Sequence, residues 1–216
     1  MKASTALLCI SLATAPVTAF AQSQNLKSSG KLTPDASAGQ DSWTYRNPKA
    51  DVTRYKSFII QPTAISTDPA ANWGKATEAD KQKYAEQFTT ALRDEIGKSY
   101  DLTTKKGPDV GVMRLTLLGV TPNSPIAIAT RVTPMGFALS SVKSIRGKPG
   151  TFSGSAQVAF ELTDSRSGEL IAAAIRRRSP DALNIVATTS TESTVGAIAQ
   201  DVAKAIRVAL DTANGR

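Results

Sequence analysis

The chain has 216 residues, a formal net charge of +8 and no histidine. The absence of histidine excludes Ser-His-Asp and Cys-His catalytic systems, and zinc sites built on histidine and cysteine. The excess of basic residues favours anionic partners such as lipid headgroups, lipopolysaccharide or acidic polymers, although a basic surface also serves solubility alone.

The first residues follow the order of a secretory signal peptide. A charged start, Met1-Lys2, precedes an apolar run at residues 6–13, and Ala19-Phe20-Ala21 places small residues where a signal peptidase reads them. The apolar run is shorter than the roughly 20 residues that a permanent membrane helix needs. We therefore predict cleavage between Ala21 and Gln22 and a bacterial periplasmic location, with peripheral association with the envelope left open.

The single cysteine, Cys9, lies inside the apolar run and follows Leu8. A lipoprotein carries its cysteine just after that run and behind a small residue, so Cys9 is not expected to carry lipid. Cleavage after Ala21 would leave a mature protein without cysteine and therefore without disulfides. Its size makes this feasible, since a domain of about 150 residues buries most of its apolar surface.

The N-terminal half predicts a tether, an extended segment, a strand and a helix. Residues 22–41 are rich in Ser, Gln, Gly, Lys and Asp, which predicts a flexible N-terminal tether. Residues 43–47 predict an extended segment that docks its aromatic side chains onto the domain. Residues 55–60 predict a strand that is apolar on both faces, as inside a sheet. A helix capped by Thr77 follows, with an apolar stripe at steps of four: Tyr84, Phe88, Leu92 and Ile96.

The C-terminal half predicts three strands and a second helix. Alternating apolar residues indicate strands at 110–120 and 155–163. A hairpin turn with Gly168 at a position of positive φ leads into a third strand at 169–178. The last helix extends from Thr194 to about residue 213, and its apolar stripe includes Val195, Ile198, Val202, Ile206 and Leu210.

The order strand, helix, strand, strand, strand, helix predicts an α+β fold with two layers. Two helices that each carry one apolar stripe need a sheet to cover. We therefore expect a single α/β domain at residues 42–214, with a mixed sheet of about four to five strands and both long helices on one face.

One segment, residues 121–154, does not fit this order. Proline and glycine interrupt it, yet it carries many apolar side chains, and loops of that length are uncommon and often functional. One interpretation is an element that touches a membrane or a partner, with Lys143, Arg146 and Lys148 contacting anionic headgroups. We favour the other, a short helix packed on the sheet before a basic turn, because large exposed apolar patches are rare on monomers.

No motif in the sequence predicts catalysis or cofactor binding. The run Ser140-Ser141-Val142-Lys143 has the S-x-x-K spelling of some serine enzymes, but the companion S-D-N and K-T-G elements are absent. Residues 147–154 lack the order of a phosphate-binding loop. Glu161, Asp164 and Glu169 cluster around one hairpin, where acidic side chains are normally solvated. We therefore predict no catalytic, cofactor-binding or metal-binding residue.

The densest charge run is Arg176-Arg177-Arg178, at the end of the last predicted strand. Strand geometry places Arg176 and Arg178 on one face and Arg177 on the other. One interpretation is a contact with an anion. We favour the other, a charged strand end that discourages pairing at a sheet edge.

Three stretches carry a resemblance to a known family. They are residues 43–48 (Trp-Thr-Tyr-Arg-Asn-Pro) with 51–56 (Asp-Val-Thr-Arg-Tyr-Lys), residues 107–110 (Gly-Pro-Asp-Val), and residues 161–170 (Glu-Leu-Thr-Asp-Ser-Arg-Ser-Gly-Glu-Leu). In their order they resemble the DUF3313 family, bacterial proteins of unknown function usually described as lipoproteins, over roughly residues 30–213. The resemblance implies an envelope location and no catalytic residues. The chain departs from the family in lacking a lipidated cysteine, which bears on anchoring and leaves the domain unaffected.

Together these observations favour a non-enzymatic protein of the cell envelope that acts as an interaction or structural module for another envelope protein. The alternative is a binding module for a lipid or another anionic envelope ligand. A hydrolase of an unrecognised kind is the least favoured hypothesis. No cofactor is expected, and export argues against a nucleic-acid partner; the oligomeric state is left open.

The predicted cleavage can be tested on the exported protein. Because the small residues precede Gln22, mass spectrometry of the mature form should show Gln22 as the first residue, either free or cyclised. A mature protein that still carries Cys9 with an attached lipid would contradict this prediction.

Overall fold

The computed structural model describes residues 26–28, 30–39, 41–121, 154–180 and 190–216. These residues form a mixed sheet of eight strands and two long helices, an α+β fold. The strands are β1 Thr33–Pro34, β2 Trp43–Arg46, β3 Ser57–Ile60, β4 Ala64–Ile65, β5 Asp101–Leu102, β6 Val110–Thr121, β7 Ser155–Asp164 and β8 Leu170–Arg178. The helices are α1, Glu78–Ile96, and α2, Thr191–Ala213.

The sheet has the strand order β1-β2-β8-β7-β6-β3-β5, and β4 also pairs with β6. Strands β6, β7 and β8 form an antiparallel meander, whereas β3 and β4 run parallel to β6. The prediction of about four to five strands was wrong. Strands β1, β4 and β5 have two residues each, too few for a periodic pattern, and β2 lies in the stretch that the sequence predicts only as an extended segment.

The predicted start of α1 is confirmed in detail. The Thr77 hydroxyl accepts the backbone N–H of Asp80 at 3.2 Å, and the Asp80 carboxylate accepts the backbone N–H of Thr77 at 2.8 Å. This reciprocal capping box satisfies two N–H groups that a helix N-terminus leaves without partners. The predicted stripe Tyr84, Phe88, Leu92 and Ile96 is buried.

The second helix begins three residues before its predicted start at Thr194. The hydroxyl of Ser190 accepts the backbone N–H of Ser193 at 3.0 Å and caps the helix. The apolar pattern begins only at Val195, so it could not reveal the first polar turn. Within the described ranges, neither helix is long and apolar enough to cross a membrane.

Both helices pack on one face of the sheet. Met113, Leu115 and Leu117 of β6 point to the helices together with Val158 and Leu162 of β7, as the alternation predicted. The helices also contact each other, and the Arg207 guanidinium of α2 lies 2.9 Å from the Glu95 carboxylate of α1.

The opposite face of the sheet is covered in part by the N-terminal segment. Leu26 and Leu32 are only 5% and 8% exposed, and they pack against Leu118, Ala159 and Ile175. The backbone N–H of Ser28 donates to the buried Glu161 carboxylate at 2.7 Å. Leu26 and Leu32 of the predicted flexible tether thus lie against the sheet, because two leucines in a polar stretch can still be buried.

The hairpin between β7 and β8 is fastened by the buried Asp164. Its carboxylate accepts the backbone N–H groups of Ser167 and Arg166 at 2.8 and 2.9 Å and the Tyr55 hydroxyl at 3.1 Å. These hydrogen bonds, led by that from Ser167, hold the pKa of Asp164 below its usual value although burial opposes them. Gly168 has the predicted positive φ, 69°. Asp164 therefore joins the hairpin to the segment before β3.

Asp164→Asn should lower the free energy of unfolding at neutral pH by about 2 kcal/mol, since hydrogen bonds to a buried charge are lost or weakened. Because the folded pKa is depressed, the contribution of the charge is complete above the unfolded pKa of about 4 and is lost as the pH falls toward the folded value. Urea unfolding at neutral pH and at a pH of about 3 measures both effects.

The exposed Asp94 on α1 provides a matched control. Asp94→Asn should change the free energy of unfolding by less than about 0.5 kcal/mol at either pH. A deficit of Asp164→Asn that is equally large at acid and neutral pH would contradict the assigned role of the charge.

Candidate functional site

An apolar groove of about 400 Å³ lies on the helix side of the sheet. Helix α2 packs over β7, and the groove lies between the C-terminal half of α2 and the next strands of the sheet, β8 and β2. Its described lining comprises Thr44, Tyr45, Arg46, Ala50, Val52, Val158, Phe160, Leu162, Ile171, Ala172, Ala173, Ala174, Arg176, Arg178, Val202, Ala205, Ile206, Ala209, Leu210 and Ala213.

The groove exists because small side chains face each other across it. The floor on β8 presents Ala172 and Ala174, which pair with Leu162 and Phe160 of β7. The wall on α2 presents Ala205, Ala209 and Ala213, spaced by four residues and therefore on one side of the helix. An alanine side chain ends at Cβ, so neither wall reaches the other and an open apolar channel remains.

The charged residues among the described lining are three arginines, with no carboxylate. Arg176 is half-buried; its guanidinium forms an ion pair with Asp35 at 2.8 Å and donates to the carbonyl oxygen of Trp43. Burial lowers the pKa of Arg176; Asp35 opposes this effect, whereas the nearby charge of Arg178 adds to it. Among the described residues, Asp35 thus compensates the charge of Arg176, while the nearby charge of Arg178 has no such ion pair.

The other two arginines have free side chains at opposite ends of the groove. Arg46 and Arg178 are exposed, and neither side chain has an ion pair or hydrogen bond within the part of the chain that the structure describes. Arg46 lies opposite Ala172 on the neighbouring strand. Ala172 precedes Arg178 by six residues, so Arg46 and Arg178 are separated by about 20 Å along β8. The groove therefore has the length of an extended alkyl chain, with a free cation near each end.

The predicted arginine run divides between the two faces of the sheet. Arg176 and Arg178 line the groove, whereas Arg177 points to the other face and pairs with Asp41 at 3.3 Å. Trp43, the first residue of β2, lies opposite Ile175, so residues 176–178 of β8 pair with β7 and not with β2.

The remaining predicted site residues lie outside the described residues. They are the cleavage pair Ala21 and Gln22, and the basic residues Lys143, Arg146 and Lys148.

The acidic cluster at the hairpin holds the fold together. Glu161 accepts the Ser28 N–H, Glu169 accepts the Asn47 side-chain amide at 2.7 Å, and Asp164 serves the hairpin turn. In the described ranges no group of three or more potential metal ligands comes together. The cluster thus offers structural hydrogen bonds, and the groove offers apolar contact and positive charge.

A second hollow, polar and about 560 Å³ in volume, lies between β4 and the start of α1. Its aromatic wall, Trp73, is covered by Lys81, whose ammonium group lies 5.2 Å from the ring centroid and 2.6 Å from the Glu78 carboxylate. This hollow is therefore closed to stacking by its own side chains.

Sequence reasoning missed the groove and Arg46. The sequence contains a signal for the groove: every second residue from 172 to 178 is Ala, Ala, Arg and Arg, and alanines recur at steps of four on α2. Alanines do not stand out in a pattern of large apolar residues. Whether the alanines of α2 face those of β8 depends on how α2 packs on the sheet, which the sequence alone does not specify.

Comparison with known proteins identifies the family. No curated protein matches the chain. Among solved structures, the PelC dodecamer from Paraburkholderia phytofirmans is similar at 11% identity and a TM-score of 0.39, covering 76% of this chain and 96% of that one. A DUF4136 family protein from Bacteroides thetaiotaomicron is similar at 12% identity and a TM-score of 0.34, with coverage of 76% and 96%.

The family model described as "Protein of unknown function (DUF3313)" matches residues 21–206, which is most of the chain. The match includes the three stretches that carried the resemblance in the sequence, and it includes every strand of the described sheet. The chain therefore belongs to the DUF3313 family.

Proposed function

We propose that this protein is exported to the bacterial cell envelope and acts there by binding, without catalysis, and that its groove holds the acyl chain of a lipid. The observation that carries the proposal is the apolar groove between α2 and β8. Export rests on the signal-like order of residues 1–21, and a periplasmic location follows from it.

The size of the groove favours a small ligand over a partner protein. Sites for small molecules commonly have volumes of roughly 300–1,000 Å³, and this groove has about 400 Å³. A partner helix 20 Å long would occupy roughly 1,500 Å³, given its diameter of about 10 Å. The volume of the groove thus matches a chain of methylene groups better than a whole enclosed helix.

The lining of the groove suits an alkyl chain. Alanine, valine, isoleucine and phenylalanine side chains form the walls, and the backbone of the floor is already paired in the sheet. Each methylene group that leaves water for such surroundings contributes about 0.8 kcal/mol. A long chain therefore gains affinity without a polar partner.

The hypothesis of a docking module for another envelope protein has less support. Among the described residues, the exposed large apolar side chains are Leu102 on β5 and Val208 on α2. Single exposed apolar residues on different elements are ordinary for a monomer and do not form a docking patch.

A neutral apolar dye, phenylnaphthylamine, tests the proposal through its fluorescence gain on binding. We expect it to bind the wild-type protein and to bind Ala174→Phe at least about tenfold more weakly, since the ring would fill the floor of the groove. Ala174 is partly exposed to the groove, so the larger side chain should not displace the core.

Ala79→Phe, at an exposed position of α1 away from the groove, is the matched control and should bind the dye like wild type. Thermal unfolding of both variants verifies that they fold. Equal dye binding by Ala174→Phe and wild type would place the dye elsewhere and refute the proposal.

A further inference from the structure

We propose that the ligand of the groove is an anionic amphiphile with a single apolar chain, whose acidic headgroup lies beside Arg176 and Arg178. The apolar chain then runs along β8 toward Ala213. This inference rests on the proposed binding of an acyl chain and adds the charge of the ligand, its number of chains and its direction.

The charges along the groove indicate that its ligand is an anion. The groove is apolar along its length, and its described charged lining consists of Arg46, Arg176 and Arg178. Opposite Arg176 and Arg178 stands one carboxylate, Asp35, which pairs with Arg176. The guanidinium of Arg178 is therefore uncompensated within the described residues, and an acidic headgroup at this end would complete a balanced set of charges.

The placement of Arg178 suits a headgroup in particular. Arg178 is exposed, whereas Ala172 and Ala174 lie deeper in the groove and are only partly exposed. A bound acid at Arg178 would keep contact with water, so it would escape most of the desolvation cost of a buried charge. Its apolar chain would lie on the alanine floor. A site with one solvated, charged end and an apolar channel therefore matches an amphiphile.

The end of the groove near Ala213 indicates the orientation of the ligand. That end is lined by Arg46, Val52 and Ala213, and Ala213 is the last residue of α2. The C-terminus of a helix carries a partial negative charge, which repels an anion and offsets the charge of Arg46. No such helix end is among the described lining at the Arg178 end. The acid is therefore held at Arg178, and the apolar tail reaches the helix terminus.

The volume decides the number of chains. At about 400 Å³ the groove lies near the lower limit for small-molecule sites. One extended chain fills such a channel, whereas a phospholipid would leave its second chain in water. The ligand class is thus a free single-chain acid and not an intact phospholipid of a membrane.

Dodecanoate and dodecanol, which share one chain, test the role of charge through displacement of phenylnaphthylamine from the mature protein at neutral pH. We expect dodecanoate to bind about tenfold more tightly than dodecanol, as a charged hydrogen bond would provide. Raising the salt concentration should reduce this preference, since Arg178 is exposed.

Three arginine variants test the position of the headgroup. Arg178→Gln should bring the two affinities within about twofold of each other. Arg177→Gln removes the same charge from the adjacent residue, whose side chain lies on the other face, and should leave the preference unchanged. Arg46→Gln should also leave it unchanged. Loss of the preference in Arg46→Gln with retention in Arg178→Gln would overturn the direction.

The remaining outcomes separate the two proposals. Equal affinity of wild type for dodecanoate and dodecanol would overturn the anionic headgroup and leave acyl-chain binding intact. Failure of both compounds and of the dye to bind would refute the proposed function itself. Co-sedimentation of the protein with vesicles of anionic phospholipid, without displacement of the dye by dodecanoate, would assign the site to a membrane surface and overturn the single-chain ligand.

Discussion

Two helices are too narrow to cover this sheet, and the consequences of that mismatch organise the helix side of the molecule. Seven strands in series span about 29 Å, whereas two helices packed side by side cover about 20 Å. Helix α1 packs over β3, β4, β5 and β6, and α2 packs over β7. Leu115, Leu117 and Val158 belong to the core beneath them. Beyond them, β8 presents Ala172 and Ala174 where a third helix would need larger partners, so the uncovered strip along β8 and β2 becomes a groove.

The opposite face of the sheet must also be covered, and a short N-terminal segment covers part of it. There the cover consists of Leu26 and Leu32 on an irregular segment, and a buried carboxylate, Glu161, receives the Ser28 N–H at 2.7 Å. Two leucines and one hydrogen bond take the place of a helix here. Trp43 and Tyr45 of β2 pack against the same cluster and cover the part of this face near β8. This face is thus covered over the small side chains of Ala159 and Ala173, whereas the helix side is left open over Ala172 and Ala174.

The sequence predicts elements well where the pattern is long. The stripe from Tyr84 to Ile96 and the alternation along β6 and β7 extend over several turns or residue pairs, so both helices and the central strands were foreseeable. Two-residue strands such as β4 exist only because β6 offers them partners, and no local pattern encodes that. The groove escaped prediction for a related reason: Ala174 and Ala209 line one groove only once α2 lies beside β8. Arg46 gains its role in the same way, from a strand pairing between distant segments.

That pairing also sets the order in which the chain can fold. Trp43 lies opposite Ile175 in the sheet, so β2 and its short partner β1 cannot join the sheet through β8 until almost the whole chain is available. The closing contacts Asp35 with Arg176 and Tyr55 with Asp164 join equally distant segments. Because such non-local contacts form slowly, a nascent chain of this topology stays unfolded for longer than a helical bundle of equal size. Slow folding of this kind agrees with the export that we propose, because a chain that crosses a membrane unfolded must not fold before it has crossed.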